Sequence, residues 1–168
     1  MKGHPGGDEH TLRMLELAGI KSGRVLDMGA GDGGTLRIMR GLGIDAVGID
    51  LEPRGDEVQR GDMLCTDFTS ESFDGIISQC SFFVSGDIPG ALRESFRILK
   101  RGGMLMLSDV CFENIEPLIE AAGFEICHAE DMTAQWREYY FERLWSGDMD
   151  CCGIKGKCSY MLYICRKV

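Results

Sequence analysis

The sequence predicts an α/β fold: a doubly wound, mostly parallel seven-stranded sheet with an antiparallel last strand. Two observations carry this prediction. Short apolar runs alternate with amphipathic segments along most of the chain, which is typical of a parallel sheet covered by helices. The stretch "VLDMGAGDGG", residues 25–34, then places four glycines directly after an apolar run. Such a strand-to-helix turn is where doubly wound sheets bind their ligands.

Composition limits both the size and the partners of the protein. With 168 residues, the chain suits one domain, 1–168. The net charge of −9 argues against broad binding to nucleic acid or to anionic membranes. No apolar run approaches the roughly 20 residues of a membrane helix, and the first residues lack the apolar core of a signal peptide. We therefore expect a cytoplasmic protein whose eight cysteines are thiols, metal ligands or redox groups.

In the first half of the chain, each element is predicted from periodicity and from turn residues. The first helix is expected over 8–18, with Leu12 and Leu15 facing inward and Gly19 ending it. A helix over 33–40 follows the first strand. The strands are predicted at 24–28, 45–49, 58–61 and 73–78.

The second half opens with the clearest helix, whose apolar residues recur at helical spacing from Ile88 to Leu99. Asp87 is expected to cap this helix and Gly102 to end it. Two further helices are expected over 115–122 and 133–145, and strands at 103–109, 124–130 and 159–166. Helices should thus separate the first six strands.

Three acidic residues follow the strands at the edge where the ligand should bind. Asp27 ends the first strand, Asp50 the second, and Asp62 the third. These carboxylates suit a ligand that has an ammonium group, a ribose and an adenine, and no phosphate. Two alternatives stay open: the glycines also fit G-x-G-x-x-G, the dinucleotide fingerprint of a nicotinamide-dependent oxidoreductase, or they serve the fold alone.

The order of motifs resembles that of class I S-adenosylmethionine-dependent methyltransferases, which have a Rossmann-like fold. The segments that carry the resemblance are "VLDMGAGDGGTLR", "AVGIDLEP", "GDM", "FDGIISQCSFF" and "ALRESFRILKRGGMLMLSDV". The resemblance implies S-adenosyl-L-methionine as cofactor. It also implies a role for each residue of these motifs. The methionine part of the donor would be lined by Asp27, Gly29, Ala30, Gly31 and Gly33, and the ribose and adenine would be flanked by Asp50 and Leu51. The adenine would be held by Asp62 and Met63, and the donor methyl and the acceptor would be faced by Gln79, Cys80 and Ser81.

Methyl transfer from a sulfonium depends mainly on alignment and on the exclusion of water. A base is needed only where the acceptor must lose a proton, and His4, His10, Cys80 and Asp109 are candidates by location. The segment "SQCSFF" replaces the N-P-P-[YF] motif of enzymes that methylate exocyclic or amide nitrogens. Together with the acidic charge, this favours a small-molecule acceptor.

Two segments could add to this basic fold. Residues 1–20 would form a helix or lid over the cofactor, and residues 131–158 an insertion at the acceptor site. In the insertion, Trp136, Tyr140 and Leu144 share a helical face that either packs on the core or caps the acceptor.

The cysteines support a different reading of the chain. Cys151, Cys152 and Cys158 are weak candidates for a metal site, because C-C-x5-C is not a standard zinc spacing. Cys65, Cys111 and Cys127 are expected to be buried. Two further alternatives are a thiol-dependent metalloid methyltransferase, similar to arsenite methyltransferases, and a non-catalytic domain that binds S-adenosylmethionine or S-adenosylhomocysteine.

Overall fold

A computed structural model describes residues 5–146 and 158–168, with side chains through 141 and from 158 onward. It contains one seven-stranded sheet in the order β3-β2-β1-β4-β5-β7-β6. The strands are β1 (Arg24–Met28), β2 (Asp45–Asp50), β3 (Gln59–Arg60), β4 (Phe73–Gln79), β5 (Leu99–Cys111), β6 (Phe124–Asp131) and β7 (Ser159–Lys167). The helices are α1 (Gly7–Leu17), α2 (Gly34–Gly41), α3 (Ile88–Ile98), α4 (Glu116–Ala121) and α5 (Thr133–Ser146).

Strand pairing confirms the predicted α/β architecture. The first five strands are parallel, and β7 lies antiparallel between β5 and β6. Strand order reverses between β1 and β4, so the carboxyl ends of these two strands flank the crevice where open α/β sheets bind ligands.

Apolar side chains cover both faces of the sheet, which explains why its strands read as nearly continuous apolar runs. Helices α3 and α4 pack on one face, in a cluster that includes Leu26 and Ile76. Helices α1 and α2 pack on the other, with Val25 and Ile77. Full burial of one such side chain contributes about 1.5–3 kcal/mol.

The connections on either side of β3 differ from the prediction. Residues 51–58 and 61–72 are all described and contain no helix. Loops therefore replace the helices expected after β2 and β3. The short loops that follow these strands can therefore form walls of a binding site.

The third helix ends earlier than its apolar stripe suggests. Asp87 caps it as predicted, because its Oδ1 accepts the N–H of Gly90 at 2.8 Å. The helix stops at Ile98, however, and Leu99 is already extended at φ −70°, ψ 140°. Leu99 is buried as a strand residue of β5, which starts four residues before the predicted strand.

The inward face of α1 is more polar than predicted. Leu15 is buried, but Leu12 is 43% exposed, so its prediction is wrong. The buried stripe of α1 consists of Gly7, His10, Thr11, Met14 and Leu15, which keeps helical spacing. Hydrophobicity alone does not reveal a stripe that contains a histidine and a threonine.

Burial of the cysteines is mixed. Cys111 is buried as predicted, whereas Cys65 and Cys127 are exposed. Cys127 lies at a register shift in β6, between Ile126 and His128. Along β6, exposed residues alternate with less exposed ones, and Cys127 falls on the exposed face of the strand.

Candidate functional site

In the turn after β1, the backbone approaches the end of β2 closely. Gly29, Gly31 and Gly33 have φ values of +86°, +54° and +80°, a region that favours glycine. The amides of Gly29 and Ala30 donate to the carbonyl of Ile49 at 2.9 and 3.0 Å. A Cβ atom added at Gly29 would collide with the side chain of Ser81. The glycines are therefore required for both conformation and space.

Asp50 ties the end of β2 to this turn. Its Oδ2 accepts the N–H of Gly31 at 2.9 Å, and its Oδ1 accepts the N–H of Glu52 at 2.9 Å. The carboxylate is half-buried at the point where the first two strands end. It retains acceptor capacity toward a ligand, because two oxygens offer about four lone-pair sites.

Two cavities meet at Asp50. The larger has a volume of about 440 Å³ and the smaller about 200 Å³. Both are lined by Gly29, Asp50, Ser81 and Val84. The larger extends over the glycine turn to α1 and α2, and the smaller over the ends of β2 and β3. Together they form a site in two parts across the carboxyl ends of β1 to β4.

Asp27 lies in the wall of the larger cavity. It is 3% exposed. Burial, with a smaller contribution from the charge of Asp50, raises the pKa of Asp27 to about 7. A carboxyl group in this state is poised to ionise when a positive charge enters the cavity.

The other sequence-predicted ligand residues divide between the two cavities, except Gly33, which is not among the lining residues of either one. Asp62, Leu51 and Met63 line the smaller one. Gly31, Ala30 and Gln79 line the larger one. Asp62 Oδ1 accepts the N–H of Leu64 at 2.8 Å, which leaves its other oxygen for a ligand. Gly33 is the N-cap of α2, directly behind the glycine turn.

The turn after β4 forms the wall opposite the glycines. The Gln79 side-chain oxygen accepts from the hydroxyls of Thr35, at 3.1 Å, and Thr11, at 3.4 Å. Cys80 follows with φ +57°, which is unusual for a residue with a side chain. Cys80 also lines the larger cavity. The protein thus holds the end of β4 against α1 and α2.

A second network fixes the Cys80 thiol. The Tyr160 hydroxyl lies 3.3 Å from the Cys80 sulfur and 3.1 Å from the Ser108 hydroxyl. Burial, and secondarily the charge of Asp109, raises the pKa of Cys80 to about 12. The thiol is therefore protonated at neutral pH and suited to hydrogen bonding rather than to proton abstraction.

Asp109, another candidate base, has a different environment. Its carboxylate accepts the backbone N–H of Phe83 at 3.0 Å and of Val110 at 2.8 Å. Burial raises its pKa to about 6, against the opposing effect of these hydrogen bonds. Asp109 does not line either part of the site within the described residues. Its visible role is to hold the turn that contains Cys80.

Of the two candidate histidines, only His10 belongs to the described part of the chain, and it does not line either part of the site. His10 is 3% exposed on the inner face of α1, and the same helix contributes Asp8 to the larger cavity. His4 lies outside the described residues. Helix α1 (Gly7–Leu17) thus contributes to the wall of the site through Asp8, and a lid formed by residues 1–20 stays a prediction.

The insertion contributes core packing through its first aromatic residue. The rings of Trp136 and Tyr160 are stacked at 6.3 Å, and those of Trp136 and Tyr140 at 5.4 Å. The side chain of Leu144 lies outside the described part. Because Tyr160 contacts Cys80, the start of α5 supports the site indirectly.

Of the three cysteines predicted as weak metal-ligand candidates, Cys158 alone belongs to the described part of the chain. Cys158 lines a separate cavity of about 420 Å³ with Cys111 and Glu116, whereas Cys151 and Cys152 lie outside the described residues. In residues 5–146 and 158–168, no three histidine, cysteine or acidic side chains are grouped as metal ligands would be. Within the same ranges, none of the helices has the length and apolar character needed to span a bilayer.

Two neighbours of the site carry no sequence signal. Arg54 lines the larger cavity but lies four residues beyond β2, outside any motif quoted above. Tyr160 is placed beside Cys80 by the antiparallel pairing of β5 with β7. Sequence reasoning could find the acids that follow each strand, but not contacts that depend on tertiary pairing.

Comparison with known proteins decides the family. Residues 26–107 match the family described as "Methyltransferase domain". Over this segment the chain has a methyltransferase domain, and its fold is that of the class I S-adenosylmethionine-dependent enzymes. The matched segment runs from β1 into β5, and so includes every turn that forms the two-part site.

One relative of this methyltransferase chain is phosphoethanolamine N-methyltransferase 3 of Arabidopsis thaliana. The two are 26% identical over 170 residues, which cover 78% of this chain and 35% of the relative. The chain thus spans about a third of the length of this curated relative. The acceptor named for the relative belongs to a longer protein.

Solved structures share the fold of this methyltransferase. Phosphoethanolamine N-methyltransferase 2 of Haemonchus contortus, in complex with S-adenosyl-L-methionine, aligns with a TM-score of 0.80 at 20% identity, over 98% of this chain and 53% of that one. The [4+2]-cyclase SpnF aligns with a TM-score of 0.78 at 20% identity, over 99% of this chain and 83% of that one. Such low identities show a common fold, which alone does not define the reaction.

Proposed function

We propose that this protein transfers a methyl group from S-adenosyl-L-methionine to a small-molecule acceptor. The observation that carries the proposal is the pair of cavities joined at Asp50 and Gly29. The ligand needs a long, two-part site with a hydroxyl-binding carboxylate at its middle. The family match supplies the donor, and the geometry accommodates it.

The residues present fit the donor part by part. The smaller cavity offers Asp62 for an adenine amino group and the apolar side chains of Leu51 and Met63 for the ring. Asp50 can accept from both ribose hydroxyls. The larger cavity places the buried Asp27 where an ammonium group would restore its charge. The glycine turn leaves room for backbone approach.

When bound, the donor supplies an electrophilic methyl group on a sulfonium. The protein itself aligns the donor with the acceptor and excludes water from the reacting groups. Gln79 and Cys80 would face the reacting groups, with Gln79 held by two threonine hydroxyls and Cys80 by Tyr160. The protonated Cys80 thiol can orient an acceptor but is a poor base, so acceptors that are already nucleophilic at neutral pH suit this site.

A small acceptor is supported by the charge and by the relatives. The chain's net charge of −9 disfavours nucleic acid, and the curated relative reported above is named for phosphoethanolamine. The cytoplasm is the compartment we propose, because all six described cysteines are free and two of them are exposed.

Calorimetric titration with S-adenosylhomocysteine tests the donor site. Asp50→Ala should weaken binding about 100-fold, since it removes two charge-assisted hydrogen bonds of about 1.5 kcal/mol each. Asp45→Ala is the matched control, because Asp45 is an exposed residue at the opposite end of the same strand. Binding of NADH in place of S-adenosylhomocysteine would contradict the proposal.

Turnover requires a second assay. Formation of S-adenosylhomocysteine from S-adenosylmethionine should depend on an added acceptor. Phosphoethanolamine, the acceptor named for the relative above, is the first trial, measured from about pH 7 to about pH 10 because its amine attacks only after losing a proton. Tight donor binding without turnover for any acceptor would instead favour the non-catalytic binding domain.

A further inference from the structure

Arg54 lies in the loop after β2, which is fastened to the glycine turn. Its N–H donates to the carbonyl of Gly31 at 2.9 Å. Next to it, Gly55 lies so close to the turn that an added Cβ would come within 2.6 Å of the Asp32 carbonyl oxygen. The backbone of Arg54 is therefore held at a fixed distance from the turn that forms the donor site.

The guanidinium of Arg54 lies over that turn. Its Nη2 atom is 2.7 Å from the position that a Cβ of Gly31 would occupy. The side chain forms part of the lining of the larger cavity and is exposed to its mouth. Gly31 is thus needed for two reasons: its positive φ, and the space that the Arg54 guanidinium occupies where a Cβ would be.

Charges in the larger cavity are unevenly matched. Four acidic residues line it, and the only basic ones among its described lining residues are Arg37 and Arg54. Arg37 is already paired, with its Nη1 at 2.7 Å from Glu57 Oε1. Arg54 forms no ion pair with any residue in the described part of the chain. Its charge is available to a ligand.

We propose that Arg54 binds the carboxylate of the donor's methionine part; this inference rests on the proposed function. Adenine would occupy the smaller cavity, at Asp62 and Met63, so the amino-acid end lies in the larger one. There the ammonium group has Asp27. The carboxylate would be repelled by the acidic lining unless Arg54 offsets it, and a guanidinium can bind a carboxylate through two parallel hydrogen bonds.

Two ligands separate this contact from the rest of the site. S-Adenosylhomocysteine has the amino-acid end, whereas 5′-methylthioadenosine keeps the nucleoside and lacks it. Calorimetry on the full chain should show that Arg54→Ala weakens S-adenosylhomocysteine about 10- to 100-fold and leaves 5′-methylthioadenosine unchanged. Arg54→Lys should recover part of the loss, because it restores the charge without the planar fork.

Arg101→Ala is the matched control. Arg101 is an exposed residue near the amino end of β5. The site lies at the opposite, carboxyl end of the parallel strands. The substitution Arg101→Ala removes one positive charge, as Arg54→Ala does, and should leave the affinities for S-adenosylhomocysteine and 5′-methylthioadenosine unchanged. High salt should narrow the difference between wild type and Arg54→Ala, since the contact lies at the cavity mouth.

Three results would overturn the assignment of Arg54. They are an unchanged affinity for S-adenosylhomocysteine, an equal loss for both ligands, and an effect confined to the KM of the acceptor. A wild-type protein that binds neither ligand would instead refute the proposed function itself. Arg54→Lys keeps the test valid if Arg54→Ala does not fold.

Discussion

Replacing Asp27 with asparagine should stabilise the free protein while it weakens the donor site. Asp27 is 3% exposed at the end of β1. Burial and the neighbouring charge of Asp50 raise its pKa from the usual 3.8 to about 7. Asparagine has nearly the same shape and does not ionise, so the substitution removes the unfavourable buried charge with little change in packing.

The size and pH dependence of this effect follow from linkage. In the unfolded chain the carboxyl ionises near pH 3.8, but in the folded protein it keeps its proton up to about pH 7. The folded state binds more protons over this interval, so the free energy of unfolding falls as the pH rises through it. A difference of about three pH units corresponds to about 4 kcal/mol. Asp27→Asn should match wild type at about pH 4 and exceed its stability by up to about 4 kcal/mol at about pH 8.

Urea unfolding followed by circular dichroism at several pH values measures this difference. Asp67→Asn is the control: it removes one exposed carboxylate and should give no comparable pH-dependent gain. Parallel curves for wild type and Asp27→Asn across this range would refute the reasoning. In the same buffers, wild-type affinity for S-adenosylhomocysteine should fall as the pH drops through about 7, because a protonated carboxyl cannot pair with an ammonium group, and Asp27→Asn should lack this dependence.

The remaining predictions concern the turn, the thiol and the core. Gly29→Ala should abolish S-adenosylhomocysteine binding in calorimetry, whereas Gly43→Ala, at a similar φ but with nothing within 4 Å of the added Cβ, should leave it intact. Tyr160→Phe removes the hydroxyl that contacts the Cys80 thiol and should lower kcat, while the affinity for the donor stays within about twofold of the wild-type value. A change in donor affinity without a change in kcat would contradict the role of Tyr160 in holding the thiol. Phe73→Ala removes a fully buried ring and should cost about 3–5 kcal/mol in urea unfolding.

Local sequence signals predict elements well where burial and apolar character coincide. Helix α3 is an example, because its stripe and its Asp87 cap fall where the spacing puts them. The same reasoning fails at its end, since Leu99 continues the stripe but belongs to β5. In α1 it fails because His10 and Thr11 are buried polar residues, and Thr11 bonds Gln79 in the site.

The site divides in the same way. Asp27, Asp50 and Asp62 were predictable, because residues in the last positions of a parallel strand, or just beyond it, must lie at the carboxyl edge of the sheet. Arg54 and Tyr160 were not, because one reaches the site through a loop contact with Gly31 and the other through the antiparallel pairing of β7. Such contacts leave no periodic pattern in the chain.

Three locally unfavourable features of the fold lie close together at the carboxyl edge of the sheet. Asp27 is an acid buried beside another acid, Cys80 is one of two described residues other than glycine with a positive φ, and the glycine turn has a high entropic cost. Each feature weakens the free protein. A bound ligand with a positive charge would relieve the first of these costs and would therefore stabilise the fold through binding. Their concentration around Asp50 thus locates the functional site on physical grounds, independently of any relative.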